Sequence, residues 1–359
     1  MPAWQLTANS IWTSFRSSGK RHIVLTGSMG SGKTTLLEKL FPKLLPGITT
    51  WAEPYQSVWM KDNLTGETMK IAAYDSSITG TKAKMVLLGN TMDDFGNAIL
   101  ENCMNHTAEW ITIDEIGFLE ENCVGFQEAI RKLFDVKCVA AVVRKQDLPF
   151  LNELRGRTDV FLIDLDEPFG NCGCVIMASG LGKRFGSNKL MADFDGEPMF
   201  MRALHASESF LERRVVVTRH KEIAELCERM GVKVILHDLP HRSDTVRLGL
   251  EVLCDMDGCM FMPADQPLLS RETVNTLVLH WTENKENILR PLCGDTPGAP
   301  VLFPKWSFPE LLNLPEGKGG GVVMKKHPEK VSVMQIQDPY ELMDADTPET
   351  LQMLLQHRK

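Results

Sequence analysis

Residues 22–40 read HIVLTGSMGSGKTTLLEKL, and this stretch decides the fold. A short β-branched run leads straight into a glycine-rich turn. The turn opens a segment with Leu36, Leu37 and Leu40 at helical spacing. From Gly27 to Thr34 the turn matches G-x-x-x-x-G-K-[ST]. Gly27, Gly30 and Gly32 let successive backbone N–H groups point inward around a β-phosphate, Lys33 reaches the β/γ oxygens, and Thr34 offers a hydroxyl to Mg²⁺. Thr35 follows in the first turn of the helix, whose N-terminal end adds positive potential. Strand, phosphate loop and helix in this order begin a parallel α/β sheet.

Outward from this loop the alternation continues. Residues 34–43 predict a helix with Leu44 at the end of its apolar side. An apolar run at 110–113 ends at Asp114, followed by a helix near 126–134, a strand at 138–143, a helix near 148–154 and a strand at 160–163. Strands alternating with helices predict βαβ crossovers and a doubly wound sheet. Between 48 and 74 the pattern turns rich in Thr, Trp, Tyr and Gly and reads as a β-hairpin insertion. Residues 164–173 (DLDEPFGNCG) are polar and turn-forming. A fresh cycle follows, with strands at 174–178, 214–218, 232–236, 259–262 and 287–291, and helices from 198 and over 222–230, 244–253 and 271–281. The glycine loops of the two halves are different motifs, so the chain reads as a fusion and not a repeat.

A length of 359 residues fits two cores better than one. The chain is 43% hydrophobic and 24% charged, within the globular range. A net charge of −8 gives no global reason to bind nucleic acid or an anionic membrane, so phosphate chemistry must come from local sites. No apolar stretch is long enough to span a bilayer. Residues 1–20 are interrupted by Gln5, Asn9, Ser10, Ser14 and Arg16, unlike a signal peptide. The 9 cysteines form no CxxC pair, and Cys172 and Cys174 flank a single glycine, too close for a zinc knuckle. Reduced, buried thiols and a cytoplasmic protein are expected.

Asp114 and Glu115 close the apolar run at 110–113. At the carboxyl end of a buried strand, Asp114 can hold Mg²⁺ and Glu115 can polarise an attacking water. The stretch 111–120 (ITIDEIGFLE) resembles the DEIG-x-x-E signature of the THEP1-type nucleoside triphosphatases. The resemblance extends over about residues 20–168 and includes 140–157 (AAVVRKQDLPFLNELRGR). It implies that Lys33, Thr34, Asp114 and Glu115 bind and hydrolyse an NTP. Nothing in the phosphate loop itself distinguishes water from another acceptor.

The second loop, 177–189, reads MASGLGKRFGSNK. It follows a strand but lacks the GK[ST] ending. Arg184 and Lys189 place two cations beside main-chain N–H groups, which suits a triphosphate whose pyrophosphate departs. The loop matches L-x-x-G-x-G-x-R-x-G-x-x-K of nucleotidyltransferases, with Met177 at the Leu position. Asp265, in 261–267 (FMPADQP), follows an apolar strand, and 344–348 (DADTP) supplies Asp344 and Asp346. Paired carboxylates of this kind bind Mg²⁺ and align attacking and leaving oxygens.

Residues 172–356 together resemble the MobA/MocA-like family, with the molybdenum cofactor cytidylyltransferases the nearest pattern. The expected architecture is therefore α/β in two tandem domains, a P-loop NTPase sheet over 1–168 and a Rossmann-like nucleotidyltransferase sheet over 172–359. The resemblance implies that Ala178, Ser179, Gly180, Gly182, Arg184 and Lys189 cradle the triphosphate. Ser243 and Thr245, in 242–249 (RSDTVRLG), would lie near the nucleotide. Asp265 and one of Asp344 or Asp346 would hold Mg²⁺.

The activity implied is transfer of CMP from CTP to the terminal phosphate of molybdopterin, releasing pyrophosphate, with hydrolysis of an NTP of broad base preference (CTP, ATP or GTP) at the other site. A molybdenum hydroxylase would receive the product. The chain departs from the family at Ser179, at Ala299 in place of His in 297–303 (PGAPVLF), and at 317–322 (GKGGGV), where an Asp and an Arg are lost. These departures leave open another phosphorylated acceptor, such as a sugar phosphate. They also leave open an NTP-regulated cofactor-handling protein without transferase activity.

Overall fold

The computed structural model describes residues 6–78, 84–180, 182, 185–186 and 188–358. It forms two compact units, one of Ser18–Pro168 and the other of residues 169–358 together with 6–17. The chain enters with α1 (Ala8–Ser18).

The first unit runs β1 (His22–Thr26), α2 (Lys33–Leu40), β2 (Gly47–Glu53), β3 (Ser57–Asp62), β4 (Thr68–Tyr74), β5 (Met85–Leu87) and α3 (Thr91–Asn105). It continues with β6 (Trp110–Ile116), α4 (Val124–Val136), β7 (Cys138–Val143), α5 (Pro149–Arg155) and β8 (Val160–Asp164). The strand order is β5-β4-β3-β2-β6-β7-β1-β8. From β2 to β8 the pairs are parallel. β3, β4 and β5 extend the edge antiparallel, so the hairpin expected over 48–74 is part of the main sheet.

Ile99 and Leu100 of α3, with Phe126 and Ile130 of α4, share one core with Val24, Ile113 and Val139 of the sheet. α2 stops at Leu40 because Pro42 drives the residue before it out of the helical region, and Leu44 is left exposed. Gly47 has φ +149, and a Cβ there would stand 1.8 Å from the Thr112 carbonyl oxygen. Only glycine lets β2 lie this close to the strand that carries Asp114.

His22 gives this unit a pH-dependent stability. Its ring is buried against Phe134, and its Nδ1 accepts from the Val139 N–H at 3.1 Å. The proton is therefore on Nε2, facing the Asp159 carboxylate at 3.3 Å. Burial outweighs the pull of Asp159 and lowers the pKa from 6.5 to about 4. The unfolded chain thus binds the extra proton between these values. Stability is complete above about pH 6.5 and falls as pH drops towards 4, by at most about 3 kcal/mol from this group. Urea unfolding of wild type and His22→Asn at pH 7 and pH 4.5 checks this. The variant should lose most of the difference between the two pH values, and an unchanged difference would contradict the assignment.

The second unit contains β9 (Cys172–Ala178), β10 (Asp193–Phe194), β11 (Glu197–Pro198), α6 (Phe200–Ala206), β12 (Arg214–Thr218), α7 (Lys221–Arg229), β13 (Val234–Leu236) and α8 (Arg242–Val252). Then come β14 (Gly258–Pro263), α9 (Arg271–Thr282), β15 (Ile288–Cys293), β16 (Thr296–Pro297), β17 (Val301–Pro304), α10 (Phe308–Leu312), α11 (Gly321–Lys326), β18 (Val331–Gln335) and α12 (Pro348–Gln356). The sheet order is β13-β12-β9-β14-β17-β15-β16, with β18 beside β15. β13, β12, β9 and β14 are parallel, and β17 runs antiparallel between β14 and β15. Pro263 is in register with Met177, so the glycine loop after β9 and the segment bearing Asp265 leave the sheet side by side. Ligands of open α/β sheets bind at such carboxyl ends.

α1 buries Ile11 and Phe15, and its Ser14 hydroxyl donates to the Thr276 carbonyl of α9 at 3.1 Å. Residues 8–17, grouped by position in the chain with 1–168, therefore pack in the other unit. The cysteines are free, and Cys172, Cys174 and Cys259 lie buried in adjacent strands. Among the described residues no helix is long and apolar enough to cross a membrane.

Candidate active sites

In the first unit β1 ends in the phosphate loop. Gly30 and Gly32 sit at φ +78 and +93, left-handed positions that other residues rarely take. Lys33 is buried, and its Nζ donates to the carbonyls of Gly27 at 3.0 Å and Ser28 at 2.8 Å. Ser28 is anchored in turn, its N–H donating to the Asp166 carboxylate at 2.9 Å. Lys145 bridges Asp164 at 2.7 Å and Asp166 at 3.1 Å. The loop is thus tied to the ends of β7 and β8.

The Thr34 hydroxyl donates to Asp114 Oδ1 at 3.3 Å, joining the start of α2 to β6. Burial is the main reason that the Asp114 carboxyl is pushed up to about 6; the Thr34 bond opposes this and the charge of Glu115 adds to it. A hydroxyl and a buried carboxylate in contact are donors that suit Mg²⁺. Among the described residues no group of three or more His, Cys, Asp or Glu could hold a metal. A cation here would complete its shell with phosphate and water oxygens, as Mg²⁺ commonly does.

Glu115 is held by Arg144, at 2.8 Å from Nε and 3.3 Å from Nη2. Its backbone exchanges two 3.0 Å hydrogen bonds with the Thr50 hydroxyl on β2. Glu120, the last residue of the DEIG-x-x-E stretch, is fully buried and accepts from the Gly117 N–H at 2.8 Å. Burial pushes its carboxyl up to about 7. Its contacts are those of a turn-former. Loop, Thr35, Glu115, Arg144 and Gln146 line one cleft of about 500 Å³.

In the second unit Lys189 is buried where its loop ends. Its Nζ lies 2.6 Å from Asp265 Oδ2 and 2.8 Å from Asp346 Oδ1. Burial opposes the charge, but the two carboxylates hold the ammonium above its ordinary pKa. The Ala345 N–H donates to the Asp265 carbonyl at 2.8 Å, which keeps the C-terminal carboxylates beside β14. Asp344 accepts from Gln266 Nε2 at 3.0 Å, and burial followed by the charge of Asp265 raises its pKa. Two carboxylates converging on one ammonium can share a divalent cation with substrate phosphates, so Asp265 and Asp346 fit Mg²⁺.

These side chains line a cleft of about 510 Å³ with Ser179, Gly180, Gly182 and Thr245. Ala178 is buried at the end of β9, and Ser243 is buried on α8; neither lines the cleft. Arg184 lies outside the described residues. Ser179 is anchored, donating to the Val217 carbonyl at 3.1 Å and contacting His237 Nε2 at 2.9 Å. A neighbouring cleft of about 730 Å³ shares Met177, Arg242, Pro263 and Asp344 with the first. It adds Arg290, Lys318 and Lys325. Arg290 is aimed by the Gly298 carbonyl, which accepts from its Nη2 at 3.0 Å.

The NTPase family model matches residues 22–168, and the MobA-like NTP transferase domain matches residues 174–331. A nucleoside-triphosphatase THEP1 of Thermotoga sp. is 30% identical over 151 residues, covering 40% of this chain and 86% of that protein. The chain is a THEP1-type NTPase fused to a MobA-like NTP transferase. A probable molybdenum cofactor guanylyltransferase of Bacillus anthracis is 29% identical over 123 residues, covering 33% of this chain and 60% of that protein. The chain thus spans less than two thirds of that relative. A solved nucleotidyl transferase from Methanothermobacter thermautotroptrophicus superposes with a TM-score of 0.44 at 19% identity, covering 52% of this chain and 96% of that one.

The sequence motifs missed part of each cleft. In the NTPase domain Arg144, Lys145 and Gln146 directly follow β7, the neighbour of β1. That position after a parallel strand is the signal that could have found them. In the transferase domain Arg219 and His241 also reach the nucleotide-sized cleft. Arg290 stands within β15, where an arginine in an otherwise apolar strand marks a polar cavity.

Proposed function

We propose that the transferase domain moves CMP from CTP to the terminal phosphate of a molybdopterin-type acceptor and releases pyrophosphate. The observation that carries this reading is the pair of adjoining clefts. One holds Lys189, Asp265 and Asp346, and the other gathers Arg242, Arg290, Lys318 and Lys325 around a space large enough for an anionic acceptor. The Asp and Arg missing from 317–322 are offset by these cations, which supports a phosphate-bearing partner.

Lys189 and the glycine loop orient the triphosphate. Asp265 and Asp346 would hold Mg²⁺, which when bound neutralises charge on the α-phosphate and the departing pyrophosphate. An acceptor phosphate oxygen bonds to the α-phosphorus as the bond to pyrophosphate breaks. No protein nucleophile is required, and positioning with charge neutralisation supplies the catalysis. Lys33, Thr34, Asp114 and Glu115 serve NTP hydrolysis in the other domain, and a molybdenum hydroxylase is the proposed recipient of the product. GTP as donor is the second reading, favoured by the guanylyltransferase name of the relatives.

Arg290→Met tests the acceptor cleft. Loss of a charge-assisted contact should raise the KM for the acceptor by about 10- to 100-fold, with the KM for the NTP little changed. Steady-state kinetics with each substrate varied in turn checks this. Lys318→Ala is a companion that disturbs no buried contact. An unchanged acceptor KM in both variants would contradict the placement.

A further inference from the structure

A smaller chamber opens off the phosphate cleft of the NTPase domain. It measures about 200 Å³ and is walled by Trp51, Val58, Ile71, Met85, Phe118 and Leu119. It meets the phosphate cleft at Met29, Glu115 and Arg144, which line both. Trp51 stacks on Trp59 across β2 and β3, with centroids 6.3 Å apart and planes 10° apart. Thr50, also in the chamber wall, is the residue bonded to the Glu115 backbone. Wall and carboxylate therefore form one connected piece.

One attacking water does not account for such a space. One attacking water needs only about 10–15 Å³ of comparable volume, and it needs polar partners instead of an apolar wall. The chamber also falls below the roughly 300–1,000 Å³ of pockets that enclose drug-sized ligands. Its size and aromatic lining suit one ring, and its polar end suits one hydroxyl pointing at Glu115.

We propose that this chamber binds a small ring-bearing primary alcohol and that the NTPase domain transfers the γ-phosphoryl group of its NTP to that hydroxyl. The inference rests on reading the phosphate cleft as the NTP site. The alcohol oxygen bonds to the γ-phosphorus while the bond from that phosphorus to the bridging oxygen of the NDP breaks. The hydroxyl proton passes to the Glu115 carboxylate, which Arg144 holds in place, and then to water. The products are a phosphate monoester and an NDP, and hydrolysis is the reaction of the same site when a water beside Glu115 takes the place of the hydroxyl.

The test uses the full-length protein with ATP and Mg²⁺, followed by ³¹P NMR. Benzyl alcohol, 3-pyridinemethanol and 4-amino-5-hydroxymethyl-2-methylpyrimidine serve as probes at millimolar concentration. At least one should give a phosphate monoester in amounts matching the ADP formed beyond free phosphate. Val58→Trp, which fills the chamber, should lower the ratio of ester to free phosphate at least about tenfold. Met85→Trp on the edge strand serves the same purpose without touching the sheet interior. ADP and free phosphate alone with all three probes would overturn the inference, as would faster hydrolysis without ester. No ATP consumption at all would overturn the NTP-site reading and this inference with it.

Discussion

Asp265→Asn is expected to lower pyrophosphate release by the transferase domain about 10³-fold, the scale of losing a preorganised charge at a phosphoryl centre. The carboxylate lies 2.6 Å from Lys189 Nζ, the same ammonium that meets Asp346 at 2.8 Å. Asparagine keeps the shape and one acceptor oxygen but removes the negative charge that would hold the cation neutralising the departing pyrophosphate. Lys189 stays paired with Asp346, so the stability loss should be about 1–2 kcal/mol. A thermal melt alongside the pyrophosphate assay separates the two effects. NTP hydrolysis by the other domain should persist. A variant that retains more than about a tenth of wild-type transfer would remove Asp265 from the proposed chemistry.

Lys33→Ala should abolish the other activity in the same way. Its ammonium is held against the Gly27 and Ser28 carbonyls, at the centre of the loop proposed to cradle the phosphates. Methyl in its place removes the one cation of the loop, proposed to reach the β and γ oxygens. Phosphate release from NTP is expected to fall about 10²- to 10³-fold. Acceptor-dependent pyrophosphate formation should survive. The two variants together form a double dissociation, and a parallel loss of both activities in either one would mean that the sites have been assigned wrongly.

Most of the fold was legible because parallel strands buried on both faces carry plain β-branched runs. β1, β7 and β12 fall where those runs predict them. Asp114 and Asp265 were legible for the same reason, as carboxylates next to the carboxyl end of an apolar run. The hairpin over 48–74 was harder. Its strands carry exposed and half-buried residues, and alternation alone does not say that β2 joins the parallel sheet beside β6. That pairing depends on Gly47, whose role is visible only when Thr112 is beside it.

The place of α1 in the chain groups it with the first unit, whereas its Ser14 hydroxyl bonds to the Thr276 carbonyl, more than 250 positions away. Arg290 and Lys325 escaped notice because their cleft is assembled from β15 and α11, segments with no shared motif. Ser243 and Thr245 show what a motif position leaves open: α8 buries both, and of the two only Thr245 lines the cleft.

The most direct measurement is pyrophosphate release by the Lys33→Ala protein with Mg²⁺ and each NTP in turn, with and without molybdopterin. Pyrophosphate that appears with CTP only when the acceptor is present is the predicted result; the same dependence with GTP would keep the transferase and exchange its donor. Absence of pyrophosphate with every NTP, in the presence of acceptor, would contradict nucleotidyl transfer to molybdopterin by this domain.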